Sequence, residues 1–162
     1  MRRLIWIAFL IALTASPALT QTPKERGGYG YGFAGLIRSP NGEDVALNVG
    51  IGGDGYLYKG FGVGGEIGYV GPSGFNDGFG ILSANASYHF LKVSQSRKLV
   101  PFLTGGFSLF FRSRADIGGN FGGGVTYWFK ERIGVRLEVR DQIPARSDLG
   151  HLPGFRAAVT FR

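Results

Sequence analysis

The chain has 162 residues, a formal net charge of +7, 29 glycines and no cysteine. That length suits one domain, and without cysteine no disulfide contributes to its stability. The basic residues are scattered along the sequence rather than gathered in one run, which argues against a nucleic-acid partner.

At the amino terminus, Arg2 and Arg3 precede an apolar run from Leu4 to Leu13 and the small-residue stretch Ala15, Ser16, Pro17, Ala18. This is the pattern of a secretory signal peptide, since the run is about half the ~20 apolar residues a spanning helix needs. Cleavage is expected after Thr20, leaving residues 1–20 as the signal peptide and 21–162 as one domain. The remaining 142 residues keep 16 of the 18 basic residues and all 11 acidic ones, a net charge of +5. Glycine then stands at about three times its usual ~7%. Apolar and aromatic residues nevertheless recur between the glycines at period two, which a disordered low-complexity segment does not show.

Eight alternating stretches follow, each predicting a strand whose successive side chains point to opposite faces. Residues 28–38 set Tyr29, Tyr31, Phe33 and Ile37 against Gly30, Gly32 and Ala34, and Ser39-Pro40-Asn41-Gly42 is a strong turn sequence. Residues 45–58 set Val45, Leu47, Val49 and Ile51 against Asn48, Gly50, Gly52 and Asp54, after which Lys59-Gly60 turns the chain tightly. Residues 61–70 oppose Phe61, Val63, Ile67 and Tyr69 to Gly62, Gly64, Glu66 and Gly68. Residues 80–93 oppose Leu82, Ala84, Ala86, Tyr88 and Phe90 to Ser83, Asn85, Ser87 and His89.

In residues 99–112, Leu103, Phe107, Leu109 and Phe111 lie opposite Thr104, Gly106, Ser108 and Arg112. Residues 117–130 alternate Phe121, Val125, Tyr127 and Phe129 with Asn120, Gly122, Gly124 and Thr126. The clearest segment is 133–140, where Ile133, Val135, Leu137 and Val139 point one way and Gly134, Arg136, Glu138 and Arg140 the other. After what reads as the longest loop, 141–151, residues 154–161 carry Phe155, Ala157, Val159 and Phe161 against Arg156 and Thr160.

The second face decides which solvent each side meets. A soluble barrel would scatter lysines and glutamates over it, but here it is glycine, alanine, serine, threonine and asparagine with few charges. Small residues suit the cramped interior of an eight-stranded barrel. The apolar face carries Tyr29, Tyr31, Phe61, Tyr69, Tyr88, Phe90, Phe107, Phe111, Tyr127, Phe129, Phe155 and Phe161 toward the strand ends, as in the aromatic girdles of membrane barrels. The fold expected is all-β: an eight-stranded antiparallel up-and-down transmembrane β-barrel. Its interior arginines need carboxylate partners, so Asp54, Glu66, Arg112, Arg136, Glu138, Arg140 and Arg156 are predicted to form a luminal ion-pair network.

Other motifs carry less. Gly30 to Gly35 and Gly50 to Gly55 both match the dinucleotide fingerprint, but neither opens a helix, so no cofactor is expected. His89 and His151, the only histidines, lack the spacing of a metal site. Ser83 or Ser87 near His89 could serve a lipid-directed hydrolase, but two-residue spacing on one strand gives no recognisable triad, and the chain is read as not an enzyme. Asn85-Ala86-Ser87 matches a glycosylation sequon without meaning inside a membrane strand.

The segments Val100-Pro101-Phe102-Leu103-Thr104-Gly105-Gly106, Asn120-Phe121-Gly122-Gly123-Gly124-Val125-Thr126-Tyr127-Trp128-Phe129 and Gly134-Val135-Arg136-Leu137-Glu138-Val139-Arg140-Asp141 resemble the small OmpA/OmpX-like outer-membrane β-barrel domain family, and among its members the short porin-family proteins that are a barrel alone. The resemblance covers most of residues 21–162 and is strongest over 99–141. It implies placement in the bacterial cell outer membrane, with lipid and, during insertion, the barrel-assembly machinery as partners, and a monomeric barrel. It also implies an insertion signal ending on an aromatic. Here that residue is Phe161, in the penultimate position before Arg162. The expected role is structural or surface-interacting, with the lumen filled by side chains. A narrow porin for small solutes and a soluble lipocalin-like barrel holding an apolar ligand are the alternatives.

Overall fold

A computed structural model describes residues 27–38, 45–71, 78–91, 98–112, 115–145 and 150–162. The expected signal peptide and its cleavage position lie outside these residues. Eight strands run β1 (Gly28–Arg38), β2 (Val45–Tyr58), β3 (Phe61–Gly71), β4 (Phe79–His89), β5 (Leu99–Phe111), β6 (Ala115–Trp128), β7 (Ile133–Pro144) and β8 (Leu152–Phe161). Each pairs antiparallel with the next, and β8 returns to β1, closing the barrel. Closure leaves no strand edge unpaired, so the backbone ladder is complete without disulfides. The strand ends joined by 59–60, 90–98 and 129–132 lie at one end, here the turn end, and those joined by the other four connections at the loop end.

Strands β7 and β8 are longer than the alternation alone suggests. Asp141 to Pro144 continue β7, pairing with β8 from Asp141↔Pro153 to Gln142↔Leu152 and with β6 as far as Gly118↔Pro144. The connection between them shrinks to 145–151, shorter than the 90–98 separating β4 from β5. The expectation that 141–151 is the longest loop is therefore corrected. Gln142 is a luminal residue, and Pro144 needs no ladder donor at the strand's last position.

Large apolar side chains cover the outside of the barrel: Ile51 is 64% exposed, Phe107 75% and Val139 61%. Soluble monomers rarely expose contiguous apolar patches beyond a few hundred Å². The inside is polar and charged at mid-height, the reverse of what a lipocalin-like barrel around an apolar ligand requires.

One strand departs from the expected faces. Tyr29, Tyr31, Phe33 and Ile37 are buried in the lumen, while Gly30, Ala34 and Leu36 face outward. The register explains it: Tyr29 pairs with Asp54, Tyr31 with Gly52 and Phe33 with Gly50, and directly paired residues share a face. A Cβ at Gly52 would stand 2.7 Å from Tyr31 Cζ and one at Gly50 2.6 Å from Phe33 Cζ. The luminal glycines of β2 are thus the floor on which the rings of β1 lie. Tyr29 and Tyr31 do not belong to the outer girdle.

The β2–β3 connection is a two-residue turn with positive φ at both positions, 45° at Lys59 and 91° at Gly60, the geometry that matches strand twist in hairpins. Gly60 O accepts a hydrogen bond from His89 N at 2.7 Å, tying this turn to the end of β4. A Cβ at Gly60 would run into the His89 carbonyl oxygen. Gly60→Ala is expected to destabilise the folded barrel by about 1–3 kcal/mol, seen as a lower urea midpoint for the detergent-folded protein.

Candidate functional site

Strand β7 supplies the centre of the lumen, because its period-two alternation stacks Arg136, Glu138 and Arg140 on one face, each two residues from the next. Glu138 is 1% exposed and accepts from three guanidinium groups. Its Oε1 takes Arg140 Nε at 2.7 Å, and its Oε2 takes Arg136 Nε at 3.0 Å and Arg156 Nη2 at 3.0 Å.

The same arginines reach across the barrel. Arg136 Nη1 lies 2.8 Å from Asp54 Oδ2 on β2, while Arg140 Nη1 and Arg156 Nη2 each lie 2.7 Å from an oxygen of Glu66 on β3. Three cations and three anions form a neutral lattice in which every carboxylate meets at least one guanidinium. Tyrosines complete it: Tyr29 Oη donates to Asp54 Oδ2 at 2.7 Å and accepts from Arg136 Nη1 at 2.6 Å, and Tyr31 Oη donates to Glu66 Oε2 at 3.1 Å. Guanidinium planes also lie over rings, Arg136 at 3.8 Å from the Phe102 centroid and Arg156 at 4.4 Å from that of Phe33.

Of the seven residues predicted for this network, the structure brings together Asp54, Glu66, Arg136, Glu138, Arg140 and Arg156. Arg112 is not among them. Strand parity points it inward, but β5 ends at Phe111 and Arg112 stands exposed in the bend beyond it, past the top of the lumen. Tyr29 and Tyr31 are the participants that the alternation missed. The available signal was the glycine-rich inner face of β2 and β3, which needs large neighbours to fill the space beside Asp54 and Glu66.

Layers above and below seal the lattice. Toward the turn end, Tyr29, Tyr31, Phe33, Val100, Trp128 and Ala158 form an apolar cluster with Tyr56 and Leu91 against it. Arg162 lies over the Trp128 ring, 3.9 Å from its centroid. Toward the loop end comes an uncharged polar layer, in which Ser108 Oγ donates to Gln142 Oε1 at 2.8 Å, accepts from Asn120 Nδ2 at 2.9 Å and stands 2.8 Å from Ser83 Oγ. A second apolar cluster of Ile37, Val70, Ile81, Phe110 and Leu152 closes that end.

The remaining candidates fall inside this packing. His89 Nε2 is 3.0 Å from Ser87 Oγ, but His89 is buried against Tyr56 and Phe102, and its Nδ1 meets no acid among the described residues that would complete a triad. Both fingerprint-like glycine segments run through β1 and β2 rather than into a helix. Among the described residues, no group of three or more histidines, cysteines or carboxylates is placed to hold a metal ion. His151 Nδ1 lies 2.6 Å from Asp141 Oδ2 at the exposed loop end. Phe161, 52% exposed on the outer wall, ends β8 opposite Gly30 and Ile133.

No protein-family model and no curated protein matches the chain. Solved structures do. Neisserial surface protein A superposes with a TM-score of 0.65 at 14% identity, over 83% of this chain and 94% of that one. The N-terminal β-barrel domain of Pseudomonas aeruginosa OprF gives 0.61 at 16% identity, over 83% and 96%. The attachment invasion locus protein Ail of Yersinia pestis gives 0.55 at 11%, over 86% and 99%. The chain therefore has the fold of small eight-stranded transmembrane barrels, the fold that its resemblance to OmpA/OmpX-like domains implies.

Removing one member of the lattice leaves the others charged and buried, which costs about 3–5 kcal/mol where a buried pair is broken. Arg136→Met and Glu138→Gln are expected to destabilise the barrel by that order, and Arg112→Gln by much less. Urea unfolding of the detergent-folded variants, followed by the loss of β-sheet circular dichroism, measures the difference.

Proposed function

We propose that this chain is a bacterial outer-membrane β-barrel with a structural or surface-interaction role and a closed lumen. The observation that carries this reading is the neutral lattice of Asp54, Glu66, Arg136, Glu138, Arg140 and Arg156 held between two apolar layers. An eight-stranded barrel is only wide enough for side chains to fill. A conducting path would have to break ion pairs at mid-height and part packed rings above and below them. The same reading includes no catalytic role and no cofactor.

The apolar outer wall supports placement in a lipid bilayer, and the fold shared with bacterial outer-membrane proteins supports the outer membrane. Export through residues 1–20, insertion by the barrel-assembly machinery with Phe161 in the signal, and a monomeric state belong to the same proposal. Two structural neighbours carry the words surface protein and attachment in their names, which favours a surface role over transport.

Two measurements test it. Folded protein in detergent is expected to migrate differently on a gel before and after boiling; identical migration would overturn the membrane-barrel assignment. Purified protein in a planar bilayer is expected to give no stable large conductance, and long-lived openings from the wild-type chain would replace the closed-lumen reading with the porin one.

A further inference from the structure

The two ends of the barrel differ in charge. At the turn end, Lys59 follows β2, Lys98 precedes β5, and Lys130 and Arg132 lie between β6 and β7; all four are exposed, Arg162 after β8 lies there too with its guanidinium over Trp128, and Glu131 is the one acidic side chain among the described residues there. None of the four pairs with a carboxylate among the described residues. At the loop end the described charges balance, Arg38 and Arg112 against Asp116 and Asp141. The sequences of the connections widen the contrast. Residues 90–98 add Lys92 and Arg97 and no acid, whereas the loop-end connections add Glu43, Asp44, Asp77 and Asp148 against Arg114 and Arg146.

The cations are placed as a ring and not as a patch. They sit on three different hairpin connections around the circumference, each beside a residue of the apolar wall: Tyr58 is 62% exposed next to Lys59, Leu99 43% next to Lys98, and Phe129 47% next to Lys130. Lys59 Nζ folds back to 4.7 Å from the Tyr58 ring centroid, at the edge of the wall. Long basic side chains at such a boundary lay their stems on apolar surface and hold the charge at headgroup depth. A folded acidic protein would find these charges facing different directions, but a planar leaflet meets all of them at once.

We infer that the turn end is a binding rim for the phosphate headgroups of anionic glycerophospholipid in the leaflet it occupies. The inference rests on the membrane placement proposed above. Each cation within a Debye length of an anionic surface adds to the attraction, and salt screens it.

The test uses the full chain reconstituted into phosphatidylcholine vesicles doped with spin-labelled phosphatidylglycerol or spin-labelled phosphatidylcholine, with motionally restricted lipid measured by electron paramagnetic resonance. The wild-type protein is expected to restrict phosphatidylglycerol several-fold more than phosphatidylcholine, and the preference to fall toward one at about 0.5 M salt. The variant Lys59→Asn, Lys98→Gln, Lys130→Gln, Arg132→Gln is expected to lose the preference while keeping heat-modifiable migration; asparagine is used at position 59 because it tolerates the positive φ there. Equal restriction of the two lipids by wild type, or an unchanged preference in the variant, overturns the inference. So does complete suppression of the preference by soluble polyglutamate at constant ionic strength, which would make the rim a docking site for an acidic macromolecule. Absence of any restricted lipid would count instead against the membrane placement itself.

Discussion

Glu138 accepts from three guanidinium groups, and the organisation of the barrel interior follows from how those charges are satisfied. A carboxylate at 1% exposure inside a narrow barrel cannot be solvated by bulk water, so its charge must be met by side chains. Arg136 and Arg140 come from its own strand and Arg156 from the neighbouring one, leaving two surplus cations. Asp54 and Glu66, on the opposite side of the lumen, bring the total to neutrality. With all of these charges turned inward, period-two geometry turns the alternate residues of the same strands outward, and those are the aliphatic and aromatic residues of the wall.

The glycines belong to the same arrangement. The rings of β1 need neighbouring strands that occupy almost no volume, and β2 and β3 provide Gly50, Gly52 and Gly68 where the Tyr31 and Phe33 rings lie, with the Arg156 guanidinium over the Phe33 ring. The glycine enrichment that could be taken for low complexity is therefore the complement of large side chains elsewhere. The conformational entropy that these glycines lose on folding is offset by packing from the aromatic residues of β1.

Much of this was legible in the sequence because β-barrel strands report their faces directly. The number of strands, the boundaries of β1, β2 and β3 to within a residue, and the six charged residues that meet in the lumen can all be read from alternation plus the requirement that inward charges be paired. The faces of β1 were not. Alternation separates the two faces of a strand without saying which is inside, and for β1 the aromatic set, which resembles a girdle, turned out to be the filling. The register to β2 decides the matter, since Tyr29 sits opposite Asp54. Arg112 failed for a different reason: parity holds only as far as the strand does, and β5 stops one residue earlier.

The lattice also joins parts of the chain that are far apart in sequence. Arg136 reaches Asp54 across 82 residues, Arg140 reaches Glu66 across 74 and Arg156 reaches Glu66 across 90. Both early carboxylates lie on β2 and β3, and all three guanidinium groups lie on β7 and β8. A chain that has formed only its first six strands holds two inward carboxylates with no luminal guanidinium to meet them. Such an intermediate gains little from curling up early, because dry closure would strand those charges. The ion pairs thus make closure cooperative, favouring the ring only when the final hairpin is in place and leaving a truncated or prematurely sealed sheet without its central stabilising contacts.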